Sequence, residues 1–175
     1  SEYNPDGWGI SYYKNREAIL KREPTKAKDS ELFFKTVEEA KSNIIISHIR
    51  YATQGDICEL NCHPFKEKYL NREWIFAHNG NVKITKHDRT VGGTDSESVF
   101  HFLLDEMQKY QNEGILKGIY PSLKGAITSL FKNHGTSMTL NFLMSDGELL
   151  FVFNHYTAKP IYLLKREKLY GNAIL

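Results

Sequence analysis

The feature that most constrains this chain is a change of hydrophobic period near its C-terminal end. From Met138 onwards apolar and polar residues alternate over residues 138–145, and again over residues 148–154. A period of two predicts strands, and the Asp146-Gly147 dipeptide between the two runs favours the tight turn of a β-hairpin. The hairpin predicts an antiparallel sheet whose faces the helices of the chain can cover.

The other periodic segments give an order of strands, helix, strands, two helices and strands. Further strands are predicted at residues 7–13, 18–21, 44–51, 74–77, 161–164 and 173–175. Helices are predicted from Asp29 or Ser30 towards Lys41, from the capping box Thr94–Glu97 onwards, and from a first turn that contains Pro121 to an end at Gly135. This order predicts one α+β domain over residues 1–175.

Two segments are predicted to be irregular. Residues 52–72 have no period and contain Gly55 and Pro64, so we expect a loop there. Asn79-Gly80 is a strong turn signal, because both residue types tolerate positive φ, and it is expected to stop the strand at residues 74–77.

Composition excludes several classes of protein. The 175 residues are 41% hydrophobic and 25% charged, which is typical of a soluble globular protein. No run of about 18 apolar residues is present, and the first residues have no signal-peptide pattern. The net charge of +2 comes from interspersed charges, so nothing favours nucleic acid as a partner. We expect a cytoplasmic protein that binds neither membrane nor nucleic acid.

The two cysteines, Cys58 and Cys62, are close together in the sequence. A disulfide over so short a span is geometrically demanding, although it is possible. With His63 the pair could suggest a metal site, but a second pair of ligands at the usual spacing is missing. We expect reduced, structural cysteines and no metal.

Four short segments carry polar residues that packing does not require. Each ends an apolar strand or begins a helix: Asp6–Gly9, His48–Thr53, His78–Asn81 and Gly93–Glu97. Taken singly, each has a plain structural explanation as a strand end that reaches solvent, a turn or a helix cap.

In combination and in this order, the segments resemble the class II glutamine amidotransferases, which are N-terminal-nucleophile hydrolases. Asn61-x-His63-Pro64-Phe65, and Asn141-Phe142 ahead of Ser145-Asp146-Gly147, agree with the resemblance, which extends from Asp6 to about Gly147. The chain is similar to the small single-domain branch that includes ergothioneine-pathway and glutathione-degrading γ-glutamyl amidohydrolases. The resemblance implies a four-layer αββα sandwich, in which two antiparallel sheets face one another and helices cover the outside.

The resemblance also implies how a glutamine-like substrate is held. Arg50 would bind the α-carboxylate with its guanidinium fork, and Thr53 would place a hydroxyl beside that carboxylate. Asp95 would pair with the α-ammonium group, a role compatible with its favourable place at a helix start.

The same resemblance implies an oxyanion hole made of the Asn79 side-chain amide and the Gly80 backbone N–H. His78 is expected to line the substrate site and to orient its strand rather than to act as a base. His48 is expected to be a core or supporting histidine, and His63 to help anchor the loop that covers the site.

The family nucleophile is a cysteine at the mature N-terminus, whose own α-amine serves as the base. The sequence begins with Ser1, and Cys58 and Cys62 are internal, so that their backbone nitrogens are amides without useful basicity. Ser1 is a poor substitute, because Asp6–Gly9 follow it too closely for this family. We expect the cysteine, and the first strand of the sandwich, to precede Ser1, and the chain to continue beyond Leu175.

The expected function is an amidohydrolase that cleaves the γ-amide of glutamine or of a γ-glutamyl compound without a cofactor. The ammonia would be released or passed to a separate partner. The alternative is a catalytically inactive domain that keeps the pocket and binds glutamine or glutamate. A third possibility is a structural protein in which the motifs are only caps and turns.

Overall fold

A computed structural model describes residues 4–165 and 172–174 of the chain. The strands are β1 Trp8–Lys14, β2 Glu17–Glu23, β3 Ile45–Ile49, β4 Phe65–Tyr69, β5 Arg72–Asn81, β6 Thr139–Ser145, β7 Leu150–His155, β8 Leu163–Lys165 and β9 Asn172–Ile174. The helices are α1 Glu31–Glu39, α2 Asp95–Asn112 and α3 Ile119–His134.

Two antiparallel sheets form the centre of the molecule. The smaller sheet has the strand order β2-β1-β3, and the larger has the order β4-β5-β6-β7. The hairpin predicted around Asp146-Gly147 is confirmed as β6 and β7, with Ser145 opposite Leu150. Strands β8 and β9 form a separate two-stranded ladder, and Leu175 lies outside the described residues.

Buried side chains form three clusters, one for each interface between layers. Helix α1 packs on β1 and β2 through a cluster around Trp8 and Phe33. The two sheets face each other through a small cluster that includes Ile46 and Ile75. The largest cluster, around Phe76, lies between the four-stranded sheet and helices α2 and α3. The layers therefore follow the order α-β-β-α, as the sandwich implied by the family resemblance requires.

The predicted turn at Asn79-Gly80 is wrong, because β5 continues through both residues to Asn81. Asn79 lies opposite Asn141 and Gly80 opposite Leu140, so β6 supplies a partner strand that overrides the local turn preference. A Cβ atom at Gly80 would lie 2.0 Å from the Thr139 carbonyl oxygen. The glycine therefore permits a close approach of two strands instead of a reversal of the chain.

The predicted loop at residues 52–72 is also wrong in part, because it contains β4 and a short 3-10 helix, Glu59–Asn61. Strand β4 lies at the sheet edge, and charged residues interrupt its pattern between Phe65 and Tyr69. Edge strands tolerate such charges. Because the charges interrupt the apolar pattern, the sequence did not predict this strand. Helix α2 begins at Asp95 as the Thr94 cap predicts, and Pro121 lies in the first turn of α3, which begins at Ile119.

A membrane-crossing helix would have to be longer and more apolar than any helix found in residues 4–165 and 172–174.

Candidate active site

A cavity of about 810 Å³ opens where β3, β5 and the start of α2 converge. Its wall brings together every substrate-site and oxyanion residue predicted from the sequence. The predicted residues on the wall are Arg50, Thr53, His78, Asn79, Gly80 and Asp95. Other residues on the wall are Asn4, Ser47, His48, Ile49, Tyr51, Gln54, His63, Asn81, Thr94, Ser96, Thr139, Tyr156 and Lys159.

Arg50 lies directly after β3 and is 4% exposed. Its backbone is held by the Asp6-Gly7 segment, since Arg50 N–H donates to the Gly7 carbonyl at 2.8 Å and Asp6 N–H donates to the Arg50 carbonyl at 3.1 Å. The Asp6 carboxylate also accepts from Ala52 N–H at 2.8 Å. The Asp6–Gly9 motif therefore fixes the position of Arg50, a role that the sequence had not revealed.

The Arg50 guanidinium also holds the loop that follows it. Nη2 donates to the carbonyls of Gln54 at 2.8 Å and Gly55 at 3.2 Å, and Nη1 donates to the Asp56 carbonyl at 3.1 Å. These bonds use three of the five N–H groups of the side chain. Arg50 thus places a buried positive charge in the wall and shapes the loop beside it.

Asn61 clamps this loop to the segment that precedes α2. Its amide donates to the Asp56 carbonyl at 2.9 Å, and its oxygen accepts from Gly93 N–H at 2.7 Å. The Glu97 carboxylate accepts from Gly92 N–H at 2.8 Å. The loop after Arg50 is therefore tied to the segment that leads into α2.

Asp95 is the first residue of α2 and is half-buried in the cavity wall. One carboxylate oxygen accepts from Val82 N–H at 2.7 Å, which joins the helix start to the end of β5. Thr94, rather than Asp95, caps the helix by accepting from Glu97 N–H at 3.4 Å. Asp95 therefore retains acceptor capacity on the cavity side, close to the helix N-terminus.

Asn79 projects from β5 with an exposed side chain whose amide has no hydrogen-bond partner among residues 4–165. Gly80 follows it in the strand, at the close approach to Thr139 described above. Asn79 and Gly80 are thus adjacent residues of the cavity wall. An unpaired amide can donate to a ligand without first breaking a bond within the protein.

Three histidines line the cavity in two different ways. His78 Nδ1 lies 2.9 Å from Ser96 Oγ and Nε2 lies 3.3 Å from the Thr139 carbonyl. Because a carbonyl can only accept, Nε2 carries the proton and Nδ1 accepts from the serine. Burial lowers the pKa of His78, against an opposing effect of Asp95. This geometry suits a neutral side chain that orients its strand.

His48 and His63 form the other arrangement, an edge-to-face pair with ring centroids 4.4 Å apart. Neither Nδ1 atom has a hydrogen-bond partner in the described part of the chain. Burial, followed by the charges of His78 and Arg50, lowers the pKa of His48 to about 4. Burial also lowers the pKa of His63 well below its usual value. Both imidazoles are therefore neutral at neutral pH.

Both cysteines are free thiols, and neither lies in the cavity wall. Cys62 is fully buried against Gly7, and burial raises the pKa of its thiol. Ser1 lies outside the described residues. In residues 4–165 and 172–174, no three side chains of the His, Cys, Asp or Glu types are placed to hold a metal ion together.

Sequence reasoning missed the wall formed by Tyr156 and Lys159, which belong to the turn after β7. A polar signal was present on the neighbouring strand, because Asn141 is 4% exposed within an otherwise apolar run. Its side chain donates to the Lys159 carbonyl at 2.5 Å. Nothing in the local pattern around Lys159 indicates that contact.

The family model for class-II glutamine amidotransferases matches residues 1–175. The chain belongs to this family. Its cavity therefore lies in an amidotransferase fold, and the motif order from Asp6 to Gly147 reflects that membership.

Individual relatives match almost the whole length of this chain. An uncharacterized protein of Methanocaldococcus jannaschii is 36% identical over 180 residues, which cover 98% of this chain and 49% of that protein. The Escherichia coli protein YafJ, whose name assigns it provisionally to the glutamine amidotransferases, is 29% identical over 184 residues, covering 97% of this chain and 67% of YafJ. The chain thus spans about half to two thirds of the length of these relatives.

A solved structure supports the fold independently. The structure of a predicted glutamine amidotransferase from Pseudomonas aeruginosa matches with a TM-score of 0.68 at 28% identity, covering 95% of this chain and 65% of that chain. The four-layer sandwich of the N-terminal-nucleophile hydrolases is therefore the fold of this chain.

Proposed function

We propose that this chain binds the glutamate half of glutamine or of a γ-glutamyl compound and takes part in hydrolysing its γ-amide. The observation that carries the proposal is the shared cavity wall of Arg50, Asp95 and the unpaired Asn79 amide. Family membership alone gives the class of enzyme, whereas this arrangement matches the three polar groups of one substrate. Those groups are a carboxylate, an ammonium and an amide carbonyl.

The amino-acid end of the substrate would lie between the buried Arg50 and the half-buried Asp95. Arg50 keeps two N–H groups that no loop carbonyl uses, and these can donate to an α-carboxylate. Asp95 can accept from the α-ammonium while it still holds Val82 N–H. Thr53 can add a hydroxyl at the carboxylate side of the cavity. One charge of each sign suits a zwitterion better than a simple acid or amine.

The γ-carbonyl would face Asn79 and Gly80. Attack by a thiolate on the carbonyl carbon makes a tetrahedral oxyanion, and the Asn79 amide and Gly80 N–H can stabilise the negative oxygen. The C–N bond then breaks, the nitrogen takes a proton and leaves, and an acyl thioester remains. Water hydrolyses the thioester to glutamate and regenerates the thiol.

The thiol would come from a cysteine at the mature N-terminus, which is not one of the two cysteines among these 175 residues. Cys58 and Cys62 are unsuitable because neither reaches the cavity and burial keeps the Cys62 thiol protonated. Release of the amine to solvent makes the reaction a hydrolysis. Transfer of ammonia would need an acceptor site on another domain or subunit.

Variants of the cavity wall test the proposal. The measurement is the steady-state rate at which the full-length protein releases glutamate from glutamine. We expect Asn79→Ala to lower kcat by roughly 10²–10³ with little change in KM. Asp95→Asn keeps an oxygen for Val82 N–H but removes the charge, so we expect KM to rise about tenfold or more. Lys124→Gln, an exposed site on α3, is the matched control and should change neither constant.

Calorimetry with glutamate separates the alternatives. If Asp95→Asn leaves the affinity for glutamate unchanged, that result contradicts the proposed binding mode. Glutamate binding without any hydrolysis by the wild-type protein would favour the inactive binding domain instead. A thiol-reactive glutamine analogue should label an N-terminal cysteine, and stoichiometric labelling at Cys58 or Cys62 would overturn the proposed mechanism.

A further inference from the structure

The two ends of the proposed substrate site come from segments that lie far apart in the sequence. Arg50 and the loop after it form the carboxylate side, whereas Asp95 at the start of α2 forms the ammonium side. Because a zwitterion carries both groups on one carbon, the two protein charges have to keep a fixed separation to bind it well. The side chain of Asn61 connects the two segments. It is 2% exposed and is not among the described residues of the cavity wall.

The Asn61 amide is hydrogen-bonded on both of its sides. Nδ2 donates to the Asp56 carbonyl at 2.9 Å, and the same oxygen accepts from Arg50 Nη1 at 3.1 Å. Oδ1 accepts from Gly93 N–H at 2.7 Å, two residues before Asp95. The connection from the Arg50 guanidinium to the start of α2 therefore consists of one carbonyl and one side-chain amide.

Glycines make room for this amide. A Cβ atom at Gly55 would lie 2.7 Å from Asn61 Nδ2, and a Cβ atom at Gly92 would overlap Asn61 Oδ1. A Cβ atom at Gly93 would lie 3.4 Å from the Cα atom of Gly55, so the backbones of the two segments pack closely beside the amide. Neither segment can shift far without displacing the other or breaking a bond of Asn61.

The backbone of Asn61 is also held in place. Asn61 ends the short 3-10 helix that begins at Glu59, and its N–H donates to the Cys58 carbonyl at 3.2 Å. Breaking either side-chain bond would leave a buried polar group without its partner, which costs more than the bond itself contributes. A buried amide that is paired on both sides therefore fixes the geometry of the groups around it.

We propose that Asn61 is a positioning residue that couples the carboxylate side of the site to the ammonium side. When Arg50 binds the α-carboxylate, the two bonds of Asn61 keep Asp95 at the separation that the α-ammonium requires. The inference rests on the proposed function and adds to that site a residue that acts through Arg50 and Gly93 rather than by touching the substrate.

Two ligands that differ only in the α-ammonium test the coupling by calorimetry with the full-length protein. They are glutamate and glutarate, the dicarboxylate without the amino group. In the wild-type protein we expect glutamate to bind about tenfold more tightly than glutarate, because Asp95 pairs with the ammonium. In Asn61→Ala this ratio should fall to about threefold or less, since Asp95 is no longer held at the right separation.

Asn61→Asp is the second variant, because it has nearly the same shape and keeps an acceptor for Gly93 N–H while it loses the donor to the Asp56 carbonyl. It should lower the ratio as well. Its added negative charge disfavours the doubly charged glutarate more than glutamate, so the charge alone would raise the ratio. Asn133→Asp and Asn133→Ala, at an exposed position of α3, are the matched controls and should keep the wild-type ratio.

Steady-state kinetics with glutamine give a second measurement. Asn61→Ala should raise KM about tenfold and change kcat by less than about twofold, because Asn79 and Gly80 are not in contact with the lost amide. A fall in kcat with an unchanged KM would overturn the inference, since it would place the effect at the bond that reacts.

The failure of the coupling and the failure of the proposed function have different signatures. A wild-type ratio that persists in both Asn61 variants, with circular dichroism showing folded proteins, would overturn the coupling even if both ligands bind more weakly. It would leave the proposed function standing. Equal affinities for glutamate and glutarate in the wild-type protein would instead overturn the proposed binding mode, and the inference with it.

Discussion

The layer between the four-stranded sheet and helices α2 and α3 differs in composition from the layer between the two sheets. The first is mostly apolar and includes the stacked rings of Phe76 and Phe100, with centroids 5.1 Å apart, although the buried His101 also stacks on Phe100 there. The second is apolar only around residues such as Tyr13 and Ile75. Towards the cavity it contains polar side chains instead, of which Arg50 is almost completely buried.

This difference indicates that the two layers have different roles, one in stability and one in forming the cavity. Burial of apolar area stabilises the fold, so the helix-covered layer carries most of the stability. The layer between the sheets gives up part of that burial to hold neutral imidazoles and a charged guanidinium, groups that cost free energy to bury. Substitutions in the two layers should therefore differ in both the size and the pH dependence of their effects.

The largest effect is expected from Phe76→Ala in the helix-covered layer. Phe76 is fully buried, and truncation leaves a cavity, so the free energy of unfolding should fall by about 3–5 kcal/mol. Urea denaturation followed by circular dichroism measures the change. Phe34→Ala is the control. Because Phe34 is 54% exposed, its truncation should lower the free energy of unfolding much less. Similar losses in both variants would show that this layer is not the main source of stability.

A smaller effect, specific to the layer between the sheets, is expected from acidification. The unfolded chain protonates His48 near pH 6.5, whereas the folded protein does so only at about pH 4. The unfolded state therefore binds more protons between these two values, and stability is lost as the pH falls through this window. Between pH 7 and pH 5, His48 should account for about 2 kcal/mol of lost unfolding free energy.

His48→Gln tests this expectation, because Gln does not titrate. The difference in unfolding free energy between pH 7 and pH 5 should shrink by about 2 kcal/mol in the variant, whatever its absolute stability. Gln108→Ala, at an exposed and non-titrating position of α2, serves as the control and should leave the wild-type difference unchanged. An unaltered pH dependence in His48→Gln would refute a neutral His48 in the folded state.

The smallest effect is expected from Tyr13→Phe in the apolar half of the same layer. The Tyr13 hydroxyl lies 3.0 Å from the Glu73 carbonyl and 2.9 Å from the Ser145 carbonyl, which links the smaller sheet to the larger one. Removing the donor should lower the free energy of unfolding by about 0.5–1.5 kcal/mol, with no added pH dependence below pH 7. Tyr162→Phe, at a residue 65% exposed, should have no measurable effect.

Local sequence predicted the elements whose signals are local. The alternation after Met138 identified β6 and β7, and Thr94 with Glu97 identified the start of α2. The motifs also named six of the wall residues, because residue type and order carry the family resemblance. The Asn79-Gly80 prediction failed because turn preference is weaker than pairing along a whole strand, here with β6.

The sequence by itself determined the fold class, the family and the residue types available to the site. Only the tertiary structure decided that the Arg50 guanidinium holds the loop carbonyls after it, and that Lys159 lies one strand away from Asn79. The physical reason is that these relations depend on which strands pair and in which register. A hydrophobic period or a cap fixes a local conformation, but it does not specify the distant partner across the sheet.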